Sequence, residues 1–157
     1  MSTTITDLTG PQLVVDLEGA TAEDPAAAIR ALAGALAADG RVTDEATFVA
    51  AVLAREDETG GTGMGSGVAI PHAKSSAVAR AAVAIGRASS GIDFGSEDGA
   101  PADLVFLIAA PEGADDLHVR VLSRLARRLI HESFRSAVRD ATSPGAVITI
   151  LEREVEL

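Results

Sequence analysis

The chain predicts an α/β fold: a mixed β-sheet flanked by helices on both faces, in a single domain. Three observations carry this. Short Val/Ile/Leu-rich runs alternate with stretches of helical period, and interleaved strands and helices imply a sheet covered by helices. Leu104 to Ala109 is a continuous apolar run, as expected of a central strand buried on both faces. The length of 157 residues suits one domain with one core, so residues 1–157 are read as a single unit.

Taken in order, Leu13 to Leu17 reads as a first strand, ended by Gly19. Asp24-Pro25 supplies an N-cap and a first-turn proline for a helix that stops near Gly40. Its apolar stripe is Ile29, Leu32, Ala33 and Leu36. Thr43 is read as the cap of a second helix that buries Phe48, Val49, Val52 and Leu53 and ends near Arg55. A glycine-rich loop follows, and Val68 to Ile70 forms a short strand leading to Pro71-His72. Ala81 to Arg87 alternates as a strand, 91–99 is rich in turn residues, and the strand 104–109 ends at Pro111. A long amphipathic helix is expected from about Asp115 to Ile130, and another from Glu132 to Ala141. Ser143-Pro144 marks a further start, with the β-branched run 147–150 leaving helix and strand both open.

Composition narrows the function. Hydrophobic residues make up 47% and aromatics 3%, so the core is packed from Ala, Val, Leu and Ile. With no cysteine there is no disulfide framework and no thiolate metal site, which fits a reducing cytoplasm. The first residues lack a basic and an apolar signal region, and the longest apolar run is far too short to span a bilayer. The net charge of −10 argues against nucleic acid as a partner. Arg120, Arg124, Arg127 and Arg128 nonetheless cluster. They read first as a solvated helix face and second as local positive potential for an anion.

The most informative stretch is Gly65 to Lys74. It places His72 after a proline, at the end of a short strand, with Gly60, Gly61, Gly63, Gly65 and Gly67 before it. In a chain without cysteine, histidine is the best neutral-pH nucleophile on offer. No Gly-Lys-Ser/Thr follows the glycines, so they form no P-loop, and they lead from helix to strand, the reverse of a dinucleotide fingerprint. No His-Glu-x-x-His metal spacing occurs. His118 falls in the first turn of the long helix, on a stripe with Leu122, Leu125 and Leu129. A helix N-terminus favours an anion and disfavours an imidazolium, although a histidine on such a stripe is often simply a core residue. His131 reads as a surface residue.

Arg55-Glu56 followed by Thr62-Gly63-Met64-Gly65-Ser66-Gly67-Val68-Ala69-Ile70-Pro71-His72 closely resembles the phosphorylation-site signature of the fructose/mannitol-type enzyme IIA (EIIA) domains of the bacterial sugar phosphotransferase system. Leu104 to Pro111, then Leu117-His118, resembles the family's second block, and the separation of the two histidines also matches. The similarity spans roughly residues 13–151; the segment 57–61 is about one residue longer than usual. The resemblance implies that His72 is phosphorylated through Nε2. His118 would contact the phosphoryl oxygens or orient His72, and Arg55 would neutralise phosphoryl charge. Thr62 would help fix a supporting loop that includes Gly63, Gly65 and Gly67. It further implies a cytoplasmic phosphocarrier that needs no metal or cofactor. The phosphoryl group would come from the carrier HPr and pass to an enzyme IIB domain and, through it, serve the membrane IIC permease, with fructose the favoured sugar. The alternatives are a nitrogen-regulatory EIIA and a non-catalytic binding module.

Overall fold

A computed structural model of the chain describes residues 3–113 and 116–157; within these the side chains of Leu117 and His118 are outside the description. Its central strands are β5 (Ala82–Ile92) and β6 (Ala102–Pro111), paired antiparallel. On the outer side of β5 lies β1 (Val14–Asp16), parallel to it. The other edge of β6 carries β3 (Val68–Ala69) and then β4 (His72–Ser75), both parallel to β6, and β2 (Gly63–Gly65) pairs antiparallel with β3. Parallel and antiparallel pairings together make the sheet mixed, as the sequence predicts.

Alternation along β6 splits the core in two. Val105, Leu107 and Ala109 face α2 (Pro25–Ala38) and α3 (Glu45–Thr59). Leu104, Phe106 and Ile108 face the opposite layer, built from α4 (Leu117–Leu129), α5 (Glu132–Asp140) and α6 (Pro144–Glu154). Helices thus cover both faces, and the six β6 residues named are at most 2% exposed, as a strand buried on two sides requires. A short helix, α1 (Ile5–Leu8), adds Ile5 and Leu8 to the second layer and has no counterpart in the sequence reading. No helix among the described residues is long and apolar enough to cross a membrane.

Several boundaries differ from expectation for identifiable reasons. Leu13 closes a 3-10 turn that starts at Pro11, so the first strand shrinks to three residues. Asp44, not Thr43, caps α3: its carboxylate accepts from Thr47 N at 3.1 Å and from Thr47 Oγ1 at 2.7 Å. Thr43 Oγ1 instead donates to the Ala77 carbonyl at 3.1 Å. Helix α3 also runs one turn beyond Arg55, to Thr59, where Gly60 takes the left-handed conformation that ends helices (φ 75°). The undecided run 147–150 is helical: Ser143 Oγ accepts from Ala146 N at 3.1 Å, and Val147, Ile148 and Leu151 are buried on one face. The helix expected from Asp115 opens at Leu117 in the described residues; Asp115 itself lies outside them.

Candidate phosphoryl-transfer site

The predicted glycine loop is a β-hairpin. Gly65 pairs with Val68 across a two-residue turn, Ser66-Gly67, and both turn residues have positive φ (57° and 81°). That pattern matches the right-handed twist of a tight hairpin. Ser66 is strained for a side-chain-bearing residue, and both its backbone groups are held. Ser66 N donates to Asp98 Oδ2 at 2.9 Å. The Ser66 carbonyl accepts from Arg139 Nη2 at 2.8 Å, and the same nitrogen reaches Asp103 Oδ1 at 2.9 Å. Asp98, whose carboxylate takes the Ser66 and Ala100 N–H groups, is held below its ordinary pKa by those bonds.

After the hairpin, Pro71 interrupts the ladder because it has no N–H to donate. Its carbonyl still accepts from Ile108 N at 3.0 Å, and the strand resumes as β4. His72 therefore opens a strand instead of ending one, a correction to the sequence reading; its register partner is Ile108. The half-buried ring is tied to its own chain, with Nδ1 lying 2.9 Å from the Ile70 carbonyl. A carbonyl oxygen can only accept, so Nδ1 carries the proton and Nε2 keeps its lone pair.

Helix α3 packs beside β4, and between them runs an open groove of about 260 Å³ lined by Ala51, Ala54, Arg55, Glu58, His72, Ala73 and Lys74. Arg55 and His72, distant in sequence, thus border one cleft, with Lys74 adding a second cation. The Arg55 side chain is 53% exposed, and among the described residues its one ion pair is with Glu58, 4.0 Å away. The structure brings Thr62 to the end of α3, where its N–H (3.1 Å) and its hydroxyl both donate to the Glu56 carboxylate. Gly63 and Gly65 bound β2, and Gly67 completes the hairpin turn. His118 occupies the second position of α4, near the end of β6, and its side chain lies outside the described residues. His131 is exposed, as expected, at the start of α5.

Glu56, Asp98 and Arg139 hold this region, and none was assigned a role from sequence. Burial raises the pKa of Glu56, while the Thr62 bonds and the field of His72 work to lower it. Among the described residues, no group of His, Asp and Glu could hold a metal ion.

Residues 13–154 match the family model described as phosphoenolpyruvate-dependent sugar phosphotransferase system, EIIA 2. The chain belongs to this family. It is an EIIA domain, a phosphocarrier component of that system. This EIIA domain is 38% identical to a fructose-specific EIIA component of Haloferax volcanii, over 96% of the chain and 99% of the relative. It is 44% identical to a fructose-specific EIIABC component of Bacillus subtilis over 73% of the chain, and spans only 18% of that longer protein. Its fold superposes on the nitrogen regulatory protein IIA-Ntr of Neisseria meningitidis with a TM-score of 0.84 at 30% identity, covering 94% of this chain and 98% of that one. It is also similar to the mannitol IIA of Escherichia coli solved in complex with phosphorylated IIB, with a TM-score of 0.75 at 29% identity, over 91% and 96% of the two chains.

Proposed function

We propose that residues 1–157 act as one cytoplasmic phosphocarrier domain in which His72 accepts a phosphoryl group from phospho-HPr. The domain then passes it to the cysteine of an enzyme IIB domain and so serves the IIC permease, with fructose as the sugar. The observation that carries this reading is the hydrogen bond from His72 Nδ1 to the Ile70 carbonyl, on a ring that borders the Arg55 groove. Nε2 is left with its lone pair for phosphorus. In acceptance, that pair forms a new N–P bond while the P–N bond to the HPr imidazole breaks, its electrons returning to the HPr nitrogen. In donation, the IIB thiolate attacks phosphorus and the pair returns to Nε2. Nδ1 keeps its proton throughout, donated to the Ile70 carbonyl.

Such a transfer needs little covalent work from the protein, so positioning and charge stabilisation dominate. Arg55 is assigned the neutralisation of phosphoryl charge. His118, at the start of α4, is assigned to contact the phosphoryl oxygens or to orient His72. Thr62, Gly63, Gly65 and Gly67 shape the supporting loop. No cofactor enters, because the group arrives already activated on a carrier.

A second reading, signalling by a nitrogen-regulatory EIIA through the same histidine, is favoured by the likeness to IIA-Ntr over nearly the whole chain. Incubation with phospho-HPr, followed by mass spectrometry, tests the shared chemistry. One acid-labile phosphate on the wild type and none on His72→Ala is the expected result; equal labelling of the mutant overturns the assignment. Offering the labelled protein to a panel of IIB domains separates the readings, since a transport component discharges to one of them and a signalling protein to none.

A further inference from the structure

We propose that Glu56 is a positioning residue for His72, acting through a run of hydrogen bonds that begins on its carboxylate and ends on the imidazole. The proposal rests on the reading of His72 as the phosphorylated residue. Each bond is present in the structure. Glu56 Oε2 accepts from Thr62 N at 3.1 Å, and Oε1 accepts from the Thr62 hydroxyl. The Thr62 carbonyl accepts from Ile70 N at 3.2 Å, and the Ile70 carbonyl accepts from His72 Nδ1 at 2.9 Å. The run leaves helix α3, crosses the start of the hairpin and reaches the ring.

Local geometry makes Glu56 the anchor. Its own carbonyl accepts from Gly61 N at 2.9 Å, so backbone and side chain of one residue both hold the segment that turns back from the helix. Both carboxylate oxygens are taken by Thr62. Burial works against a charge at this position, and the Thr62 donors oppose that effect.

The last bond is what makes the anchor matter for chemistry. A neutral imidazole that is not held exchanges between two tautomers, and its Nε2–H form has no lone pair for phosphorus. A shift of Thr62 shifts the Ile70 peptide with it, and Nδ1–H loses its acceptor. Outer partners of metal-ligating histidines fix ring orientation and tautomer in the same manner.

The test uses the full chain with ¹⁵N-labelled histidine. The two ring nitrogens of unphosphorylated His72 are read by NMR where the ring is neutral, beside the rate of labelling from phospho-HPr. Wild type is expected in the Nδ1–H form. Glu56→Ala is expected to show a mixture of tautomers and labelling slowed about tenfold, the lower end of the loss seen when imidazole-orienting partners are removed. Glu56→Gln is expected to restore the Nδ1–H form, because its amide can accept from Thr62 N and donate to the Thr62 hydroxyl. Wild-type tautomer in Glu56→Ala, at whatever rate, overturns the proposal. Should that variant fail to fold, Thr62→Val removes the hydroxyl bond alone, and an unchanged tautomer there overturns it equally. Failure of the wild type to label at His72 counts instead against the underlying reading of the site, since the tautomer is measured before any phosphate is added.

Discussion

Arg55 borders the groove with little to hold it, its guanidinium 4.0 Å from Glu58 and half exposed. A group so placed can move onto a phosphoryl group without first breaking a strong ion pair. Arg55→Ala is expected to slow acceptance from phospho-HPr by about 10²–10³, the usual loss when one charge-stabilising donor is removed. Arg55→Lys should recover only part, because an ammonium cannot reproduce a two-pronged guanidinium contact. Rapid-quench labelling measures both, and wild-type rates in Arg55→Ala would show that the arginine takes no part. Gly67 illustrates a different constraint. At φ 81° it suits glycine, and a Cβ there would lie 2.7 Å from Arg139 Nη2 and 2.8 Å from Asp103 Oδ1. The hairpin turn and the Arg139 clamp therefore need this residue to be small.

Among the elements, the helix α3 start separates two neighbouring hydroxyl and carboxyl residues by role. Asp44→Ala removes the cap and is expected to lower the midpoint of urea unfolding. Thr43→Ala, which removes only the bond to the Ala77 carbonyl, should lower stability without lowering the helicity of a peptide spanning 43–59, whereas Asp44→Ala should lower both. Equal peptide helicity in the two variants would contradict the assigned cap. Such details mark how far the sequence could be read. Helices α2 and α6 were legible from Asp24-Pro25 and Ser143-Pro144, since a capping side chain and a first-turn proline act locally. Strand β2 was not: Gly-Met-Gly has no strand preference, and its pairing comes from β3 alone. His72 was read as ending a strand and instead opens one, because the carbonyl of Pro71 keeps its ladder bond while its nitrogen cannot. Arg55 and Thr62 were singled out by resemblance alone; the structure puts Arg55 on the His72 groove and Thr62 on the Glu56 carboxylate. Glu56 carried a visible signal, an acid near a helix end six residues before a threonine, but its burial and paired bonds exist only in three dimensions.

Across the whole molecule, three carboxylates give the pH dependence of stability two opposed parts. Asp44 is lowered by its Thr47 bonds and Asp98 by its bonds from Ser66 and Ala100. Each contributes stability in full above the ordinary value of 3.8, and that contribution is lost as pH falls through the lower folded value. Glu56 is raised, so its contribution is complete below the ordinary 4.5 and declines as pH climbs through the folded value. Urea unfolding of wild type and Asp98→Asn across the acid range checks this: the variant should lose stability less steeply on acidification, and parallel curves would contradict it. The arginines at 120, 124, 127 and 128 are all exposed on α4, opposite the buried Val121, Leu125 and Leu129, which agrees with a solvated face. A final consequence follows from the short outer strands. The edge strands are short: β1 and β2 have three residues each, one ending in Asp16 joined to Arg87 at 3.2 Å and the other bounded by glycines, and β4, paired with β6 alone, has four. Open strand edges invite copies of a chain to stack backbone to backbone, and brief, charged or twisted edges resist it. Each of these edges is therefore too brief to offer a second copy a long strand on which to seed a fibril.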